Sequence, residues 1–125
     1  MDSSKYFYRN VIFSKQGKTI SLVDIDHPEE KGEVLEPWFG VVLQLADGKH
    51  SVEDLYNYLS GQYKGNAPAN LKQTVHSVVE RLAESKFIVL TDKPTELPYY
   101  LSMPFELLDI EKAKELIIKH RAKMN

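Results

Sequence analysis

The sequence predicts an α+β domain in which a three-stranded antiparallel sheet is followed by three helices, with a C-terminal extension beyond them. Three observations carry this. Runs rich in aromatic and β-branched residues, which suit half-buried strands, fall before Pro37. Apolar residues recur at helical spacing between Pro37 and Lys86. The stretch Val41 to Leu59, VVLQLADGKHSVEDLYNYL, reads as an apolar helix end, a tight turn and a capped helix start. The rest of the chain is organised around that stretch.

Tyr6 to Ser14 (YFYRNVIFS) reads as the first strand, Gln16-Gly17 as a turn, and Lys18 to Ile25 (KTISLVDI) as the second strand. Period two puts Phe7, Val11 and Phe13 on one side of the first, with Ile20 and Leu22 on one side of the second. A lone hairpin is marginal, so this apolar side must meet another layer. Asp26 to Lys31 (DHPEEK) is a polar, proline-containing loop. Gly32 to Glu36 (GEVLE) reads as a short third strand, ended by Pro37, which lacks a ladder donor and suits a first helical position.

Helix 1 is expected from Pro37 to about Asp47. Its residues Val41, Val42, Leu43, Leu45 and Ala46 form nearly continuous apolar surface, and Gly48 supplies the left-handed stop. Ser51-Val52-Glu53-Asp54 is a capping-box pattern that opens helix 2, from Val52 to about Tyr63. A short glycine-containing turn between two helices is the helix-turn-helix pattern. Gly61, Gly65, Asn66 and Pro68 break the chain again. Helix 3 is expected from about Ala69 to Lys86, with Leu71, Val75, Val78, Val79 and Leu82 on one face. Phe87 to Leu90 (FIVL) is a short extended run returning to the core.

Composition changes at about Asp92, which divides the chain into an expected domain, 1–92, and an extension, 93–125. Pro94, Pro98 and Pro104 keep this connector out of helix. Tyr99, Tyr100, Leu101, Met103 and Phe105 are too apolar for a free linker and need a surface. Asp109 caps a last helix, Ile110 to Lys123, with Ile110, Ala113, Leu116, Ile117 and His120 as its stripe; Lys119, Arg121 and Lys123 suit its dipole. Since three strands and three helices already supply a core, the extension is expected to pack outside it, on a partner protein or a second copy of this chain. A strap over its own sheet is the competing expectation.

Of the residues, 42% are hydrophobic and 27% charged, the mix of an ordinary globular protein. The net charge of −2 excludes a general polyanion binder. With no cysteine, disulfides, thiolate metal sites and a cysteine nucleophile are excluded, and a cytoplasmic location is expected. No apolar run approaches the roughly eighteen residues of a membrane span. The four histidines, His27, His50, His76 and His120, lack metal-site spacing, and no phosphate loop or nucleophile motif is present. Glu29-Glu30 and Glu53-Asp54 read as a loop charge and a cap. Neither an enzyme nor a cofactor is expected.

The order of elements also occurs in winged helix-turn-helix DNA binders, whose third helix enters the major groove. Here the outward positions of helix 3 are Lys72, Gln73, His76, Glu80, Arg81 and Glu84, two acids against two permanent cations. Residues 1–92 carry ten Lys/Arg and thirteen Asp/Glu, net −3. Cations drive affinity for phosphates, so the charge argues against nucleic acid, and a DNA-binding transcription regulator is the alternative reading. The third strand offers another use: an exposed edge can take an extended peptide through main-chain bonds. Equally, Glu33 and Glu36 could protect it.

The segment LQLADGKHSVEDLYNYLSGQY resembles the Asp-Gly, Ser/Thr-hydrophobic-x-Asp/Glu signature of the PqqD family, the recognition elements for ribosomally made precursor peptides. The similarity spans roughly Lys18 to Leu90. It includes Val34-Leu35, the helix to Ala46, Asp47-Gly48, Ser51 to Leu55, the loop Gly61 to Pro68, and Val78 to Leu82 leading to Phe87-Ile88-Val89. The chain departs from the family pattern at Glu36-Pro37-Trp38 and at Ser85-Lys86, where glycine is common. The resemblance implies a leader peptide bound as a fourth strand between the third strand and helix 3. The residues concerned are Gly32, Glu33, Val34, Leu35 and Glu36, with Leu71, Lys72, Val75, His76 and Val79. It further implies presentation of the peptide to a separate modifying enzyme, often a radical S-adenosylmethionine protein.

Overall fold

The computed structural model describes residues 2–30 and 32–124. The loop end at Lys31 and the chain ends Met1 and Asn125 lie outside the described residues. The elements are β1 (Tyr6–Arg9), β2 (Ile12–Gln16), β3 (Thr19–Val23), α1 (Pro37–Leu45), β4 (Asp47–Ser51), α2 (Val52–Gly61), α3 (Leu71–Glu84), β5 (Ile88–Thr91) and α4 (Ile110–Met124). Single 3₁₀ turns at Tyr99–Leu101 and Phe105–Leu107 precede α4. Among the described residues the architecture is α+β, with small antiparallel sheets and four helices.

The chain divides into two compact units, and not at residue 92. One comprises Met1–Asn10 and Val41–Glu96; the other comprises Val11–Gly40 and Leu97–Asn125. The expected first strand is therefore two strands. Asn10 gives its amide to the Phe87 carbonyl at 2.8 Å and ends β1 in one unit, while β2 begins the hairpin of the other.

In the first unit β1 is the centre of a three-stranded sheet, ordered β4-β1-β5 and antiparallel throughout. Phe7 and Arg9 face inward from β1, while Tyr6 and Tyr8 on the other face are half-buried. Buried with Phe7 are Val42, Leu43 and Ala46, Val52, Leu55 and Leu59 of α2, the α3 stripe and Ile88. The capping box at α2 forms as expected: the Ser51 hydroxyl accepts the Asp54 amide at 3.1 Å, and the Asp54 carboxylate accepts the Ser51 amide at 2.9 Å. β4, however, takes the place of the expected inter-helix turn. Asp47 builds its bend by accepting the amides of Lys49 and His50. Gly48 has φ +79°, and a Cβ there would sit 2.2 Å from the Thr95 carbonyl oxygen, so two requirements meet at this glycine.

Arg9 is 4% exposed, and its guanidinium donates to the carbonyls of Leu43, Gln44 and Ala46 at 3.2–3.4 Å. It thereby caps the end of α1, whose last carbonyls have no partner inside the helix. α3 closes in a Schellman arrangement: Phe87 donates to Leu82 and Lys86 to Ala83, both at 3.0 Å. Lys86 holds the left-handed position of that motif, at φ +64°.

In the second unit β2 and β3 pair in register from Ile12↔Val23 to Gln16↔Thr19, with Gly17 at φ +62° in the turn. One face of the hairpin carries Phe13 and Ile20, each 3% exposed. The opposite face carries Ile12 and Val23, which join Ile25, Leu101, Leu108 and Ala113 in a cluster flanked by Tyr99, Tyr100, Met103, Phe105 and Ile117. The C-terminal segment is thus integral to a core, and the expectation that it packs outside one is corrected. Its apolar residues had to be covered, and the exposed side of a two-stranded hairpin had the same need.

Candidate functional site

The expected third strand is reduced to a single antiparallel bridge, Ser21↔Val34, in the second unit. Two main-chain bonds flank it. Leu22 donates to the Glu33 carbonyl at 2.9 Å, and Leu35 donates to the Ile20 carbonyl at 2.8 Å. The pairing stops there because Glu36 gives its carbonyl to Gly40 at 3.0 Å and so belongs to the start of α1. At the other end Gly32 lies so close to β3 that a Cβ would meet the Leu22 carbonyl oxygen at 1.5 Å. Only glycine fits that approach.

This geometry defines an edge. In an antiparallel pair flanked by bonds in this way, the N–H and C=O of the central residue point away from the partner strand. Val34 is that residue, and it is 65% exposed. Leu35, one residue on, turns its side chain inward and is 8% exposed. Glu33 and Glu36 are exposed.

The row Ser14–Ser21–Val34 crosses β2, β3 and the bridged stretch side by side, since Ser14 pairs with Ser21 and Ser21 with Val34. It forms part of a groove of about 440 Å³ walled by Pro28, Glu29 and Glu30 on one side and by Phe105 and Glu106 on the other. Glu106 accepts the Ser14 hydroxyl at 2.5 Å and the Lys15 amide at 3.0 Å. Partial burial pushes the Glu106 carboxyl up, but these two hydrogen bonds, with one from its own backbone amide, outweigh it and hold the group below its ordinary value. The Lys15 amide is an outward donor of β2, so Glu106 covers that edge of the hairpin while the Val34 edge stays open.

The helix 3 residues lie in the other unit. Leu71, Val75 and Val79 are 2%, 1% and 0% exposed and belong to its core. Lys72 is exposed. His76 is half-buried, with Nε2 3.0 Å from the Ser3 hydroxyl. Residues near the N-terminus also occupy the start of α2: Ser3 and Lys5 accept the amides of Glu53 and Val52 at 2.9 Å. The residues named from the sequence therefore fall into two groups in separate units, Gly32–Glu36 and those of α3. The groove residues Ser14, Ser21 and Glu106 escaped the sequence reading, because their approach depends on how residues 97–109 fold back on the hairpin.

Comparison with protein-family models, with curated proteins and with solved structures finds no match to this chain. Among the described residues no cluster of three or more His, Asp or Glu could hold a metal ion, and no helix is long and apolar enough to cross a membrane.

Proposed function

We propose that the chain is a non-catalytic peptide-binding module that takes an extended peptide, in PqqD-like manner the leader of a ribosomally made precursor, as an added strand beside residues 32–36. It then presents that peptide to a modifying enzyme. The observation that supports this reading is the open edge at Val34. Its amide and carbonyl are turned away from β3, its side chain is exposed, and a groove adjoins it. Added strands bind through such main-chain groups and gain selectivity from pockets for alternate side chains. Relative to the sequence expectation, the proposed site keeps Gly32, Glu33, Val34, Leu35 and Glu36 and drops the buried Leu71, Val75 and Val79.

The test is Val34→Pro. Proline removes the outward donor, while the two bonds that tie this stretch to β3, from the Leu22 amide to the Glu33 carbonyl and from the Leu35 amide to the Ile20 carbonyl, do not involve the Val34 amide. Short extended peptides should lose binding by about tenfold or more. Unchanged affinity in a folded variant overturns the reading. Titration with duplex DNA is the second arm, and saturable binding of DNA in place of peptide would favour the transcription-regulator alternative.

A further inference from the structure

We infer that the peptide taken up at the Val34 edge is cationic, and that a Lys or Arg side chain enters the groove from the position opposite Val34. This inference rests on the strand-addition reading above and names the ligand chemistry of that site. In a sheet, residues directly opposite one another share a face. An added strand would extend the row Ser14–Ser21–Val34 by one residue, and that residue's side chain would lie on the groove side. The next residue along would point to the other face.

The groove is suited to a cation by its charge. Of its described lining residues three are glutamates, Glu29, Glu30 and Glu106, and none is Lys or Arg. Lys15 sits on the opposite face of β2 by alternation, paired with Ile20. Glu106 is already engaged by Ser14 and Lys15, so it contributes field more than a free partner. Glu29 faces His27, with Nδ1 3.8 Å from its carboxylate, and is itself 72% exposed. Glu29 and Glu30 are therefore the carboxylates open to an incoming ammonium or guanidinium. The serine hydroxyls can accept from the same group. Among the described lining residues the charges are all negative, so an anionic side chain would meet like charge from them.

The experiment selects a random library of short peptides on the full chain and compares the enriched pool with the unselected one. The expected result is enrichment of Lys or Arg at alternate positions. From that pool a peptide is made with Lys, norleucine or Glu at the enriched position. The Lys peptide should bind the native chain about fivefold more tightly than the norleucine peptide, and the Glu peptide more weakly than both. In Glu29→Gln/Glu30→Gln the Lys-to-norleucine ratio should fall toward one, as it should in high salt. Enrichment without cationic bias, or a ratio unmoved by the double substitution, overturns the inference and leaves strand addition standing. No enrichment at all overturns both.

Discussion

Ser21 and Val34 face one another across a bridge that leaves the main-chain groups of Val34 pointing outward. That single pairing decides how the second unit can be used. A longer ladder would have buried residues 32–36 in a hairpin-like sheet with no special position. A missing one would have left them as loop. With two bonds inward, the stretch is held extended against β3 and still offers one free edge.

The first prediction concerns α2. Ser51→Ala removes the acceptor for the Asp54 amide and should destabilise the protein by about 0.5–2 kcal/mol. Superimposable denaturant curves for the two proteins would reject the cap as a source of stability.

The second concerns Lys86, which occupies a left-handed position without the freedom of glycine. Lys86→Gly relieves that cost and should stabilise by about 0.5–1 kcal/mol, after allowing for the entropy glycine loses on folding. A melting temperature equal to or below the parent's would contradict this account of the α3 terminus.

What could be read from the sequence follows a physical line. The α2 cap, the α3 stripe and the return strand after it depend on neighbours within a few residues, and they appear close to where they were expected. β4 did not show, because DGKHS has no strand-forming character; its extension comes from pairing with β1. The single strand expected from Tyr6 to Ser14 divides at Asn10 because its halves pair with different partners. Nothing local in the sequence marks Arg9, which is buried on the carbonyls that end α1. Of the candidate site, the extended stretch at residues 32–36 was legible from its place ahead of Pro37, although only the Ser21↔Val34 bridge of the expected strand forms. The groove was not, since Ser14 and Glu106 meet across a long stretch of chain.

The third prediction tests the place of the C-terminal segment. Leu101, 6% exposed, packs in the cluster with Ile12, Ile25, Leu108 and Ala113. Leu101→Ala should cost about 2–4 kcal/mol. A loss within experimental error would return the segment to the role of a detachable arm.

The fourth concerns Glu106 and pH. Its folded-state value lies below the ordinary carboxylate value because the Ser14 and Lys15 bonds, with one from its own backbone amide, outweigh partial burial. A depressed value stabilises the fold above the unfolded value, about pH 4.3 for glutamate, and that contribution fades as pH falls through the folded value. Glu106→Gln should therefore be less stable than the parent at neutral pH, with the difference shrinking steadily below about pH 4.3. A difference that stays constant across this range would show that the carboxylate charge is not what fastens Phe105–Leu107 to β2.

The most direct test of strand addition is amide hydrogen exchange of the full chain, residue by residue, with and without a peptide selected from the random library. The account predicts that the Val34 amide, turned outward and unused by β3, slows on peptide addition, while Lys72 and His76 on α3 keep their rates. Protection at Lys72 and His76 with no change at Val34 would contradict it.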